Sequence, residues 1–307
     1  MITSFFNKSR PIYFVLVFFI TLLAFFIARI DRLNEGLNFD FIIKQIILLL
    51  IVFGSILLLS FIVTKNSLSN RNNYEILLFS LFLLFITQTT NYSNILLSNF
   101  FVLLSLRRIV SLRSPKNINK KLFDAAFWIA IAALFYFWSI LFFGLIILSL
   151  VLYSNTNIRH WFIPFLGLIS VGIIYCTGSL VLYDSFLAAL NLQLGVSYDF
   201  SNYNSVSSLV GITVLLSFGI WSSIYYLQNI KKKKKAFRVS FKTIILAAVI
   251  GFFVVILVPD KNGSEFLFLF APLAIIIANY IDTIQEKWFK EIFLAVLVFL
   301  PFVLLLL

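Results

Sequence analysis

Residues 121–154, "KLFDAAFWIAIAALFYFWSILFFGLIILSLVLYS", decide the fold of this chain, because they contain no charged residue after Asp124. A single helix through this run would be about 50 Å long at 1.5 Å per residue, whereas the hydrocarbon core of a membrane is roughly 30 Å thick. The run therefore predicts two short membrane helices joined by a tight turn near residues 136–139, on the outer side. The first helix is rich in small residues, which permit close helix packing: Ala125, Ala126, Ala130, Ala132 and Ala133.

The composition of the whole chain supports a membrane protein. Hydrophobic residues make up 62% of the 307 residues and charged residues only 12%. The hydrophobic share is higher than a soluble protein of this length needs to form its core. We predict an all-α, polytopic membrane protein with one integral membrane domain over residues 1–307. Its eleven predicted spans cover residues 11–29, 41–63, 75–90, 94–106, 122–135, 137–153, 160–183, 207–228, 240–258, 264–281 and 286–307.

The distribution of basic residues predicts the orientation of these spans, since Lys and Arg in short loops collect on the cytoplasmic side. With the N-terminus in the cytoplasm and the C-terminus in the periplasm of a bacterial inner membrane, all but four of the 24 basic residues fall inside. The net charge of +12 then follows from topology, and no nucleic-acid partner is expected. The lysine run at residues 231–235 is expected to meet anionic lipid headgroups, so membrane lipids are the predicted partners.

The first outward loop, "RIDRLNEGLNFD" at residues 29–40, concentrates acids in a chain that has only 12 of them. Four other acids fall on the outer side, and only four basic residues lie on or near it: Asp184, Asp199, Asp260 and Glu265 for the acids, and Arg29, Arg32, Lys44 and Lys261 for the bases. Two interpretations remain open. The acids either keep a short loop solvated or perform chemistry.

The order of these elements resembles that of the GT-C glycosyltransferases, multi-pass enzymes that take sugar from a polyprenyl-phosphate carrier. The resemblance covers roughly residues 10–285 and rests on the acidic first outer loop, two short spans before a basic inner loop, the pair "DAAFWIAIAALFYFWSILFFGLIILSL", and the late segment "PDKNGSEFLFLFAPLAIIIANYI". It implies transfer at the outer face. It also implies that a first-loop carboxylate acts on the acceptor or helps to hold a metal.

Carried onto this sequence, the resemblance makes Asp31 the first candidate catalytic residue, with Glu35 and Asp40 as alternates. Arg29, Arg32 and Lys261 are the candidates for binding the phosphate of the substrate. No cofactor and no metal-ligating set are predicted, and a divalent metal is left open. The chain departs from the enzymes in its short first loop, and in Ser264 and Glu265, where they often carry a basic residue.

The chain resembles more closely a family of uncharacterised bacterial multi-pass proteins that begin "MITSFFNKSRP". Members of that family sometimes carry a carotene-oxygenase name. A membrane oxygenase of that kind would hold non-haem iron with several imidazoles, and this chain has one histidine, His160. We therefore reject the oxygenase interpretation.

Three functional hypotheses remain. The first is a GT-C-like transferase that uses a polyprenyl-phosphate-linked sugar at the outer face. The second is a non-catalytic scaffold or accessory subunit of a cell-envelope complex, favoured by the short first loop. The third is a transporter, which ranks last because ion-coupled carriers usually place ionisable groups near mid-membrane, and here only Asp124 and Lys44 come close, both near predicted span ends. Residues 184–206 are predicted to lie flat on the outer surface, with Leu187, Leu190 and Leu194 at helical spacing.

Overall fold

The computed structural model describes residues 6, 11–30, 39–70, 72–153, 157–186 and 195–305. Within these residues the regular secondary structure is helical and contains no strand, and short 3₁₀ turns lie between some of the helices. The α-helices with described bounds are α1 (Pro11–Ile27), α2 (Phe39–Asn66), α3 (Tyr74–Phe85), α4 (Ser93–Val110), α5 (Ile118–Phe135), α6 (Phe143–Leu152), α7 (Arg159–Tyr183), α8 (Val206–Ile230), α9 (Lys235–Leu257), α10 (Leu267–Thr283) and α11 (Lys287–Leu304).

Each predicted span overlaps one of these helices. In the part of the chain that the structure describes, six helical segments are long and apolar enough to cross a membrane: α2, α7, α8 and α9, together with α4 extended to Arg113 and α10 extended back to Ser264. The helices α1 and α3 and the segment Phe137–Leu152 are apolar but shorter. These helices indicate a membrane-embedded protein. The figure of eleven crossings stays a prediction.

The apolar run over residues 121–154 is interrupted near residue 136, where the two-helix prediction placed a turn. The helix α5 ends at Phe135, Tyr136 is extended with φ −149° and ψ 104°, and a 3₁₀ turn over Phe137–Phe142 leads into α6. The ring of Tyr136 stacks on that of Phe268, with 5.7 Å between the ring centroids. The predicted break between two short helices is confirmed, and the stacking fixes it against α10.

The small residues of α5 permit the close packing predicted for them. Ala125, Ala126 and Ala132 are fully buried, and α5 packs along α7. A Cβ atom added to Gly167 of α7 would lie 2.8 Å from the carbonyl oxygen of Phe123 and 2.9 Å from the Cβ of Ala126. Only glycine allows the two backbones to approach this closely.

The centre of the fold is formed by α3 and α10. Every residue of α3 is buried, as are all residues of α10 up to Ile281. Phe270 joins the two helices by packing against Phe79 and Phe82, with centroid distances of 6.1 and 5.6 Å. The helices α1, α8, α9 and α11 pack around this pair, and α4, α5 and α7 form a row at its side.

The connections between helices gather at two ends of the bundle. At the first, which we call the basic end, Arg113 lies over the ring of Phe237 at 4.0 Å and Lys290 lies over the ring of Tyr74 at 5.7 Å. At the second, which we call the acidic end, Arg29 contacts Thr90 and the side chain of Asn202 donates to the carbonyl of Lys261. Each of these contacts joins loops that the distribution of charge assigns to the same side. The side of the membrane that each end faces stays a prediction.

Candidate functional site

The structure describes three of the six residues of the predicted outer site. Asp31, Arg32 and Glu35 lie outside the described residues. Asp40 is exposed in the first turn of α2, where a carboxylate interacts favourably with the positive end of the helix dipole. Arg29 and Lys261, the other two predicted site residues, are both buried.

Arg29 holds three helical segments together at the acidic end. Its Nε donates to Gln45 Oε1 at 2.6 Å, and Nη1 donates to Thr90 Oγ1 at 3.1 Å and to the Phe25 carbonyl at 3.3 Å. Nη2 donates to the carbonyl of Thr90, and the guanidinium lies 3.5 Å from the centroid of the Phe25 ring. The guanidinium therefore joins α1, α2 and the 3₁₀ turn over Thr87–Thr90.

An apolar groove of about 230 Å³ opens between α1 and α2, directly beside Arg29. Several of its side chains are exposed apolar groups, which in a membrane would face hydrocarbon. The lining residues are Phe25, Phe26, Arg29, Phe41, Ile42, Gln45, Ile46 and Leu49. The two helices that form the groove are the ones that the acidic loop connects in the sequence.

Lys261 binds the end of a helix. Its ammonium donates to the carbonyls of Ile256 at 2.7 Å, Val258 at 2.8 Å and Val255 at 3.3 Å, which satisfies carbonyl groups at the C-terminus of α9. The Nζ atom also lies 4.8 Å from the ring centroid of Phe200. Burial lowers the pKa of Lys261, and the charge of Asp199 partly opposes that shift.

Glu265 is a buried carboxylate at the acidic end that was not among the predicted site residues. Tyr203 donates its hydroxyl proton to Oε1, and the N–H of Gly263 donates to the same oxygen at 3.2 Å. The other oxygen, Oε2, has no hydrogen-bond partner among the described residues. Gly263 has a φ of 88°, so the Asn-Gly pair before Glu265 was a turn signal that could have located this site.

A second buried acid, Glu75, lies at the basic end and was also missed. It is fully buried in the first turn of α3, and neither carboxylate oxygen accepts a hydrogen bond from a described residue. Nearby, the amide of Asn72 donates to both carboxylate oxygens of Asp282 at 2.7 and 2.9 Å. The polar run "RNNYE" between two apolar stretches was the available signal.

The basic end also contains a concave site that we call the basic cavity. Its volume is about 390 Å³, and seven of its eleven lining residues are cationic. They are Lys65, Asn66, Arg107, Arg108, Ser111, Arg113, Ser114, Lys116, Asn117, Lys120 and Lys121. No carboxylate is among the described residues that line it.

Some of these cations are held by the fold. Lys121 donates to the carbonyls of Ser111 at 2.7 Å and Ser114 at 2.8 Å, and Arg108 forms an ion pair of 2.8 Å with Asp124. Arg113 donates to the carbonyl of Asn66. The pKa of Lys121 is lowered by burial first, and then by repulsion from Arg108 and Lys65. Positive charge is therefore crowded inside this cavity.

Other cations of the cavity are less constrained. Lys65 and Arg107 both lie over the ring of Phe61, at 5.0 and 4.6 Å, while Lys116 and Lys120 are exposed. Among the described residues, no group of three or more His, Cys, Asp or Glu is arranged to hold a metal ion.

The buried central helices, the apolar outer helices and the two polar ends define a membrane-embedded helical protein. A family model described as "Family of unknown function (DUF6427)" matches residues 1–306, so the chain belongs to the DUF6427 family. No curated protein and no solved structure matches the chain.

Proposed function

We propose that this protein binds a polyprenyl-phosphate-type lipid at its acidic end and acts there as a GT-C-like glycosyltransferase. The apolar groove between α1 and α2 carries the proposal, because it offers a place for a hydrocarbon chain beside Arg29. The substrate phosphate would lie near Arg29, Arg32 and Lys261. A carboxylate from Asp31, Glu35 or Asp40 would act as general base on an acceptor hydroxyl. In this proposal the acidic end faces the periplasm of a bacterial inner membrane.

Lipid binding is tested by filling the groove. We expect Ile46→Trp to weaken binding of a polyprenyl phosphate to the purified protein in detergent, because the larger side chain occupies the space of the lipid chain. Ile43→Trp is the matched control, since Ile43 is also exposed on α2 but does not line the groove. Equal binding by both variants and the unaltered protein would refute the groove as the lipid site.

Catalysis is tested separately with Asp31→Asn, Glu35→Gln and Asp40→Asn. Loss of an essential general base lowers a rate by a factor of about 10² to 10⁴, so one of the three should lose a surface-glycan phenotype at normal membrane abundance. If all three behave as the unaltered protein does, the acids only solvate the loop.

A second candidate function is a non-catalytic scaffold or accessory subunit of a cell-envelope complex. The observation that favours it is the use by the fold of the two described candidates for phosphate binding, since Arg29 and Lys261 are buried and hydrogen-bonded to protein groups. Lipid binding without any effect of the three acid substitutions would support this candidate.

A further inference from the structure

The basic cavity differs from an ordinary basic loop in its shape. The positive-inside tendency explains why Lys and Arg occur in such loops, and it places them in solvent, as with the exposed Lys231, Lys232 and Lys234. It does not explain why segments from α2, α4 and α5 surround one concave volume with seven cationic side chains. Like charges placed together in this way repel one another, and an anion bound between them would offset that repulsion.

The backbone around the cavity also favours an anion. Asn117, which lines the cavity, precedes the first turn of α5 in a left-handed conformation, with φ 55° and ψ 43°, and makes no side-chain capping hydrogen bond. The N–H groups of a helical first turn have no partner within the helix, and the helix dipole places partial positive charge there. A helix N-terminus together with Lys and Arg side chains is a common arrangement for binding phosphate.

The internal acid of this region is already paired. Asp124 forms an ion pair with Arg108, and no carboxylate is found among the described lining residues. Among the described residues, the cavity therefore offers no acid that could neutralise Lys65, Arg107, Lys116 and Lys120. Their side chains are long enough to turn toward a bound group, and the fork of Arg107 suits two phosphate oxygens.

From these observations we infer that the basic cavity is a binding site for a phosphate-bearing anion. The chemistry fits either the headgroup of an anionic phospholipid or a soluble phosphate compound, because the cavity lies at the ends of apolar helices and is also open to solvent. The site is separate from the groove at the acidic end, and the inference does not rest on the proposed function.

Two probes distinguish the sources of the phosphate. Binding of inorganic pyrophosphate to the purified full chain in detergent is measured by calorimetry. Binding of dioleoyl phosphatidic acid, compared with phosphatidylcholine, is measured by native mass spectrometry. Binding of phosphatidic acid alone identifies a lipid headgroup, and binding of pyrophosphate alone identifies a soluble phosphate. Binding of both shows that the cavity recognises the phosphate group itself.

The cavity is tested with the triple variant Lys65→Gln, Arg107→Gln and Lys120→Gln. The matched control is Arg159→Gln, Lys242→Gln and Lys287→Gln, which removes the same charge from exposed positions outside both the cavity and the lysine run at residues 231–235. We expect the cavity variant to bind its probe at least about tenfold more weakly than the control, since it loses several charge-assisted hydrogen bonds.

A single substitution provides a second test of the cavity in case the triple variant does not fold. Ser114→Glu places a carboxylate at an exposed position of the cavity wall. Lys121 donates its hydrogen bond to the backbone carbonyl of Ser114, so the substitution leaves that acceptor in place. It should reduce binding without removing any cation. The inference is overturned if the unaltered protein binds neither probe, or if both cavity variants bind as tightly as the control.

Discussion

The two ends of the bundle differ in how many of their cations are bound by groups of the protein itself. At the acidic end, Arg29 and Lys261 are buried and give their hydrogen bonds to backbone carbonyls and polar side chains of the protein. At the basic end, cations such as Lys116 and Lys120 are exposed around a cavity. A cation that joins helices stabilises the fold. One that faces other cations is better placed to bind a ligand.

The largest effect is expected for Arg29→Met. The substitution leaves the acceptors on Phe25, Gln45 and Thr90 without their donor, and buried acceptors without partners are costly. We expect the free energy of unfolding in detergent to fall by about 3 kcal/mol. Lys44→Met is the control, because Lys44 is exposed on α2 and such changes alter stability by no more than about 0.5 kcal/mol. Equal effects of the two would contradict a structural role for Arg29.

The next effect is expected for Lys261→Met, which leaves three carbonyls at the end of α9 without a donor. Stability should fall by about 2 kcal/mol. Lys242→Met is the control, because Lys242 lies in α9 itself and is exposed. A loss of stability shared by both variants would point to a general effect of charge rather than to the bonds that Lys261 makes.

Lys261 also predicts a dependence on pH. Its pKa in the folded protein is lowered, mainly by burial, so the unfolded chain binds more protons between that value and the ordinary lysine pKa. In that alkaline window the contribution of Lys261 to stability rises with pH. Thermal unfolding of Lys261→Met should therefore show a smaller alkaline increase than that of Lys242→Met. An identical pH profile for the two variants would argue against the shift.

The positions of the helices could be predicted from sequence because membrane spans are long apolar runs with polar ends. The break at Tyr136 was predictable from length alone. Sequence does not show which faces are buried, since lipid-facing residues are as apolar as core residues. The buried residues of α7 are only Pro164, Gly167, Val171 and Ser179, whereas α10 is buried almost throughout, although both are apolar.

The sites were less predictable, because each depends on contacts between distant segments. Arg29 was selected as an outer cation, but its contact with Thr90 depends on how α1 packs against the turn after α3. The basic cavity brings Lys65 together with residues 107–121, and nothing local in either segment indicates the other. Glu75 and Glu265 were missed because acids beside span ends normally face water.

An intermediate loss of stability is expected where a substitution disturbs the packing of α5 against α7 without changing any charge. Gly167→Ala places a Cβ atom 2.8 Å from the carbonyl oxygen of Phe123, so α5 and α7 must move apart, at a cost of about 1–2 kcal/mol. Gly172→Ala in the same helix meets nothing within 4 Å and should be neutral or stabilising, because Ala favours helix. Unfolding of both variants in detergent measures the difference. Equal stability of the two would show that α5 and α7 are not in close contact.

The smallest effect, and the one that distinguishes the two ends most directly, is expected for Lys120→Gln. Lys120 is exposed and lines the basic cavity with six other cations, so its removal relieves repulsion that water and salt already screen. We expect the free energy of unfolding to stay unchanged or to rise by no more than about 0.5 kcal/mol at low salt, and the change to vanish at high salt. Thermal unfolding at two salt concentrations measures this, with Lys231→Gln as the control of equal charge outside the cavity. A clear loss of stability would mean that Lys120 supports the fold as Arg29 does, and the difference between the two ends would then lie in burial alone.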